Sequence, residues 1–335
     1  MSDTRLVAFL PVTADQGRAI LAAMGDVARR GGGFREADET ALRGAARHVL
    51  KIPPDGADEA PPPTPRHLAD ILGTPGLCRY ACELIAVMAF VDGSVDDAKI
   101  NRALAYAKAL GVTDDYVRDL GEAARGHIAW LAADMNRNNM ESIAGLDVKA
   151  DVKAQFLPYD AAPDDILAGR LRGLVDLPYE AFGRAFYDHY RQNGYAFPGE
   201  AGGLTYLFAV PHDSAHLLSG YSTSIQGELL VSTFTAAMHR SEGMSGHILP
   251  VIFTWHLGIQ LNPVAVARTG AFDGEKFWRA WERGRSVAID PFGPDWDFWS
   301  LVETPIQALR EAWRVPVLEP DLAADGLPAP ARPWG

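Results

Sequence analysis

The run from Ile248 to Leu261 is apolar on nearly every side, broken only by Pro250, Thr254, His256 and Gln260. A helix that crosses a bilayer needs about 20 predominantly apolar residues, so this run is too short and too polar to span one. It reads as the central helix of a folded core, and the rest of the chain must supply apolar faces to cover it. Such faces recur at helical spacing. Leu77, Tyr80, Ala81, Leu84, Ile85, Met88 and Ala89 form one stripe, which stops at Asp92-Gly93, where glycine permits a left-handed helix end. Ser94 is expected to cap the next helix with Asp97 as its capping-box partner. The buried side of that helix would be Val95, Ile100, Leu104 and Leu110, up to Gly111, and Thr113-Asp114-Asp115 restarts another. Leu229, Leu230, Thr233, Phe234 and Ala237 make a further face. No alternating run is long enough to support a sheet, so the expected fold class is all-α, with two helical domains.

The division of the chain follows its Pro-rich and aperiodic stretches. Residues 1–60 hold two short helices and a linker. The helices are Ala19 to Val27, closed by Gly31-Gly32-Gly33, and about Asp38 to Lys51; Pro53-Pro54-Asp55-Gly56 and Pro61-Pro62-Pro63 follow as an exposed connection. Residues 65–145 read as a helical domain, and the boundary falls between Ala144 and Pro163. Residues 160–316 form the second domain. In it Asp164 or Asp165 caps a helix through Leu171, Leu177-Pro178-Tyr179-Glu180 starts one carrying Phe182, Phe186, Tyr187 and Tyr190, and Phe272–Arg283 and Trp296–Arg314 complete it. Residues 317–335 are an extended tail.

Composition narrows the function. A net charge of -12 argues against nucleic acid, which demands a basic face. Cys78 and Cys82, one helical turn apart, suit a reduced buried pair better than a disulfide. Thr4, Arg5, Asp15 and Arg18 interrupt any leader-like opening, so a cytoplasmic protein is expected, with peripheral membrane contact and self-association both open.

The chemistry gathers at Pro211-His212-Asp213-Ser214-Ala215-His216. On a helix His212 and His216 share a face, and Asp213 lies at its edge. Glu228 follows twelve residues after His216. It lies beyond Ser219-Gly220-Tyr221-Ser222-Thr223-Ser224, which reads as a helix end and a fresh N-terminus capped by Thr223 or Ser224. A helix-turn-helix folds the carboxylate back over the imidazoles. Two imidazoles and a carboxylate suit one divalent ion, zinc by ligand type, with iron or manganese as the alternatives that redox chemistry would favour. His212, Asp213, His216 and Glu228 are the candidate ligands. Leu217, Leu218, Tyr221, Leu229, Phe253 and Trp255 are the expected surroundings.

The spacing His-Asp-x-x-His followed by Glu twelve residues after the second His resembles the signature of the Coq4 family of ubiquinone-biosynthesis proteins. Leu217-Leu218-x-Gly220, Gly227-Glu228-Leu229 and Pro305-x-x-x-Leu309-Arg310 agree with it, over residues 160 to 316. The resemblance implies a Coq4-like helical bundle and a metal held by His212, His216 and Glu228, with Asp213 as a further ligand or as the catalytic proton acceptor. It implies an isoprenoid quinone precursor or polyprenyl lipid as ligand and other quinone-biosynthesis enzymes as partners. The implied activity is a metal-dependent oxidative decarboxylation of a prenylated hydroxybenzoate-type precursor.

Two rivals stand beside it. One is a metal-stabilised scaffold that binds a polyprenyl lipid or quinone without turnover. The other is an HD-type phosphohydrolase, for which His189 and Asp273 would be the additional ligands. His239, His247 and His256, taken singly, read as hydrogen-bonded core residues. The Phe197-Pro198-Gly199-Glu200-Ala201-Gly202-Gly203 loop is either a backbone approach to ligand or a plain turn. Residues 65–145 resemble the TerB-like helical domain of tellurite-resistance proteins at Asp92-Gly93-Ser94-Val95. That family commonly carries an acidic residue where this chain has Lys99, so Asp92, Asp96 and Asp97 read as a corner and a cap, not as cation ligands.

Overall fold

The computed structural model describes residues 12–53, 61–144, 152–239, 243–261 and 265–325. The chain's first residues, most of the first Pro-rich linker and part of the 144–163 boundary lie outside them. The described residues form sixteen α-helices and no strand: α1 (Ala14–Ala28), α2 (Glu36–Gly44), α3 (Pro65–Leu72), α4 (Pro75–Val87), α5 (Asp97–Leu110), α6 (Asp115–Ala124), α7 (Ile128–Ala144), α8 (Val152–Phe156), α9 (Asp165–Arg172), α10 (Phe182–Asn193), α11 (Tyr206–Ser219), α12 (Ile225–Met238), α13 (Leu249–Trp255), α14 (Gly274–Arg285), α15 (Phe298–Leu301) and α16 (Ile306–Ala312). Ala45–Leu50 and Gly243–Ile248 are π-helical turns that extend α2 and lead into α13. The fold is all-α, as the absence of alternating strand patterns implied.

Local chemistry sets the boundaries. Asp164 caps α9 by accepting from the Leu167 amide, and Ser224 caps α12 by accepting from the Gly227 amide. At the Asp92-Gly93 corner the cap is not Ser94. Asp96 accepts from the amides of Ala98 and Lys99, while the Ser94 hydroxyl donates to Asp92 at 2.7 Å; the helix begins two residues later because a carboxylate in the right place accepts two amides at once. The apolar run from Ile248 is buried, but its helix stops at Trp255. Beyond it the chain turns through Gly258 at φ +71°, and the isolated pairing of Leu257 with Thr269 takes up the backbone. The Trp296–Arg314 stretch is two short helices, because Thr304 and Pro305 leave the helix to meet Ala181 and Phe182.

One cluster of buried apolar residues runs from Ile20 and Leu84 through Phe90 and Leu131 to Phe253, Trp278 and Trp281. Burial of each large side chain of this kind contributes about 1.5–3 kcal/mol, and the rings of Phe90 and Phe253 meet edge to face at 5.0 Å. Residues from before and after the 144–163 boundary therefore share a core. A second cluster, around Phe182, Phe186, Tyr190, Phe298 and Leu309, covers the other side of α11.

Where α2 meets α14 the backbones nearly touch: a Cβ on Gly274 would lie 2.4 Å from the Ala41 Cα, and one on Gly44 would lie 2.7 Å from the Gly274 carbonyl oxygen. His256 joins the same two parts of the chain. Its Nε2 donates to the Val91 carbonyl at 3.1 Å and its Nδ1 accepts from the Phe272 amide at 3.3 Å, as expected of a satisfied core histidine.

Lys99 stands where the TerB-like resemblance leads one to expect an acidic residue. Its ammonium is wholly buried, 3.1 Å from Asp38 and 2.9 Å from Asp92. The chain thus carries its own cation between carboxylates that would otherwise repel one another. Cys78 and Cys82 are free and buried, and burial pushes the Cys82 thiol up to about 12. The described part of the tail folds back over α14, where Glu319 pairs with Arg279 and Asp325 with Lys276.

Candidate metal centre

Helix α11 carries both histidines, and its end is fixed from three directions. Gly220, at φ +81°, closes it in the left-handed conformation that glycine accepts without strain, its amide donating to the His216 carbonyl. Arg283, itself buried, donates to the Ser219 carbonyl at 2.7 Å, and Arg310 donates to the carbonyls of Leu217 and Leu218. Two guanidinium groups thus satisfy carbonyls that a helix end leaves open. After the turn, Ser224 starts α12 and sets Glu228 in its first turn, where the partial positive charge of the helix N-terminus favours a carboxylate.

The helix-turn-helix brings together three of the four expected ligands. The Glu228 Oε2 lies 3.1 Å from the His212 Nε2 and 3.3 Å from the His216 Nε2, and the two Nε2 atoms are 3.2 Å apart. All three residues are buried. The connecting turn orients the His216 ring, whose Nδ1 donates to the Tyr221 carbonyl at 3.0 Å and leaves Nε2 facing the other two residues. A neutral ring that donates through Nδ1 presents a lone pair at Nε2. Two nitrogens and a carboxylate oxygen therefore converge on one buried point. Burial works to raise the Glu228 carboxyl, but the imidazoles of His216 and His212 overcome it and hold the group well below its usual range. Burial likewise works to lower His216, and Glu228 more than offsets it. The set is built around positive charge, and His212, His216 and Glu228 could hold a metal ion.

Asp213 does not join the three. It turns to the other side of α11, where its Oδ1 is 3.6 Å from the His189 Nε2, an ion-pair separation too long for a hydrogen bond. Burial opposes ionisation of Asp213, and His189 overcomes it. The His189 ring in turn stacks on that of His216 at 5.7 Å, so Asp213 reaches the centre through a neighbour and not as one of its converging donors. Asp273, the other residue nominated with His189, caps α14 by accepting from the Lys276 amide at 3.0 Å.

Two cavities border α11. On the His212 side is one of about 60 Å³, bordered by Phe208, Trp255, His247 and Thr235. The Phe208 ring stacks on His212 at 5.0 Å. On the Asp213 side is one of about 240 Å³, bordered by Tyr190, Tyr195, Leu204 and the Ala201-Gly202 end of the glycine-rich loop. Of the expected surroundings, Trp255 borders the first cavity, while Phe253 packs on Phe90 in the core. Phe156 and Phe208 were not foreseen: Phe156 lies far from the motif in sequence, whereas Phe208, four residues before His212 on α11, shares its face and could have been read from the spacing. His239 hydrogen-bonds Asp290 at 2.8 Å, as a core histidine should, but its ring also lies 5.0 Å from that of His247, which faces the cavity. No sequence signal marked that pair.

Comparison with protein-family models, curated proteins and solved structures finds no match to this chain.

Proposed function

We propose that the chain is a metal-dependent, Coq4-like protein that acts on the acidic head of an isoprenoid quinone precursor, by oxidative decarboxylation of a prenylated hydroxybenzoate-type compound: the ring–carboxyl bond breaks with loss of carbon dioxide, a ring–hydroxyl bond forms with oxygen from water, and dioxygen takes the two electrons and leaves as hydrogen peroxide. The observation that carries this reading is the convergence of His212, His216 and Glu228. A tetrahedral ion with bonds of about 2.0–2.1 Å sets its ligand atoms about 3.3 Å apart, and the three separations here are 3.1, 3.2 and 3.3 Å. This spacing suits a first-row ion over a larger hard cation, with zinc matching the ligand types and iron or manganese matching the redox step. Three protein ligands leave a position for an exogenous oxygen donor.

When bound, the ion supplies Lewis acidity to an oxygen of the substrate head. The protein's own groups do the rest. Tyr221 holds His216 in the tautomer that binds through Nε2. Phe208 stacks on His212 and holds its ring in place. Asp213, ionised beside His189 and bordering the 240 Å³ cavity, would act on the centre through the His189 ring, which stacks on His216. No helix among the described residues is long and apolar enough to cross a membrane; a prenylated substrate would be met at the membrane surface, with other quinone-biosynthesis enzymes as partners.

Metal content tests the reading. Elemental analysis of the purified protein should find one ion per chain, and His216→Ala and Glu228→Ala should each lose most of it while circular dichroism stays helical. Full metal in both variants would reject the centre. Turnover of the metal-loaded protein then separates an enzyme from a lipid-binding scaffold, for which the ligand would be recovered unchanged.

A further inference from the structure

The smaller cavity is not made by the motif helices alone. Its walls include His212 and Phe208 on α11, Thr235 on α12 and His247 on the π-helical turn, and Asn136 and Asn139 on α7, which lies on the other side of the domain boundary inferred from sequence. The asparagines are tied to their surroundings. The Asn139 amide donates to the Gly246 carbonyl, next to His247, and the Asn136 amide donates to the Leu261 carbonyl at 2.7 Å. The turn that carries His247 is thereby clamped from α7. Behind it, Asp290 holds His239, whose ring packs edge-on against His247.

The cavity's chemistry is that of a binding site. Thr235 is 2 % exposed, and its hydroxyl has no hydrogen-bond partner among the described residues. A buried hydroxyl left unpaired is costly, and a ligand that accepts from it removes the cost. Among the described residues that line the cavity there is no Asp, Glu, Lys or Arg, and His212 on its wall is one of the three residues that could hold an ion. A polar wall of hydroxyl, amide and imidazole groups beside an aromatic rim of Phe156, Phe208 and Trp255 suits a small oxygen-bearing anion attached to an apolar group. About 60 Å³ is room for a few waters or for a carboxylate.

We propose that this cavity receives the carboxylate of an aromatic acid, one oxygen facing the metal position at His212 and the other bonded by His247 and Thr235, with Asn139 of α7 as the positioning residue that holds His247. The proposal rests on the metal centre described above, and it gives the N-terminal half a role in the site, because α7 completes the pocket.

The probe is benzoate, titrated calorimetrically into the zinc-loaded full-length protein, with the ring resonances of isotope-labelled histidines followed by NMR. Benzoate should shift the rings of His247 and His212. His247→Ala and the isosteric Thr235→Val should each weaken binding about tenfold or more, the loss of one hydrogen bond to an anion, both with zinc content intact. Asn139→Ala should weaken benzoate binding and move the His247 resonance in the free protein, and Asn139→Gln, which keeps an amide donor, should restore part of both. Unchanged benzoate affinity in Thr235→Val and His247→Ala, with zinc retained, would overturn the proposal; if His247→Ala fails to fold, Thr235→Val and His247→Gln decide. If the wild type takes up no zinc, the metal reading fails, and the pocket is judged separately: a benzoate-induced shift at His247 sustains it, and no shift overturns it.

Discussion

Lys99→Met removes the buried positive charge that lies between two buried carboxylates, leaving only the half-exposed Arg35 at 4.0 Å from Asp92 among the described residues, while keeping most of the side chain's volume. In the wild type the ammonium is 3.1 Å from Asp38 and 2.9 Å from Asp92, with the three side chains 0 %, 0 % and 1 % exposed. Breaking a buried pair by deleting one partner costs about 3–5 kcal/mol, because the remaining charge stays desolvated. Against a total stability on the order of 5–15 kcal/mol, that is a large part of the whole. The loss should depend on pH in a defined direction. Without Lys99, burial and mutual repulsion raise the carboxyls of Asp38 and Asp92 above their unfolded values, so the folded variant binds a proton that the unfolded chain has released. Its stability then rises as pH falls, and the deficit relative to wild type should be smaller at pH 5 than at pH 8. Lys99→Met/Asp38→Asn, which leaves Asp92 with its bonds from Ser94, should recover about half. Urea denaturation at the two pH values measures all of this. A deficit below about 1 kcal/mol at pH 8, or one that does not change with pH, would refute the view of Lys99 as an internal counter-ion.

Two further outcomes are expected. Burial, opposed by Arg285, pushes the Glu83 carboxyl up to about 8 from an ordinary 4.5, so between those values the folded chain keeps a proton that the unfolded chain has lost. This group makes stability fall as pH rises from about 4.5 to about 8, by at most on the order of 5 kcal/mol; Glu83→Gln should flatten that slope, and parallel pH profiles for the two proteins would count against it. Gly274→Ala drives a methyl group to 2.4 Å from the Ala41 Cα and should destabilise by about 1–3 kcal/mol or more. Gly169→Ala, inside α9 with nothing within 4 Å of the added atom, should be neutral or stabilising by up to about 1 kcal/mol, so thermal denaturation that ranks the two the other way would show the close α2–α14 contact to be wrong.

Legibility differed along the chain for physical reasons. The apolar stripes around Leu84 and Phe234 signal helices because residues three and four apart must share a face, and the structure has helices there. The cap at the Asp92-Gly93 corner was misassigned because Ser94 and Asp96 are both good capping residues, and only the path of the chain decides which side chain reaches the free amides. The extent of the helix after Ile248 was overestimated because a fully apolar run gives no periodicity by which to place its end.

The sequence by itself determined that the fold is helical and that His212, His216 and Glu228 can meet, since a histidine pair four apart and a carboxylate at the start of the next helix are fixed by local geometry. It did not determine that Asp213, one residue from His212, would face away toward His189, because a turn of one residue on a helix is about 100° and the packing of α10 chooses the partner. Only the tertiary structure placed His247, clamped by Asn139 from more than a hundred residues away, across a cavity from His212. Contacts between residues so distant in sequence leave no periodic trace in the chain, and they come into being only when the separate helices close around a common core.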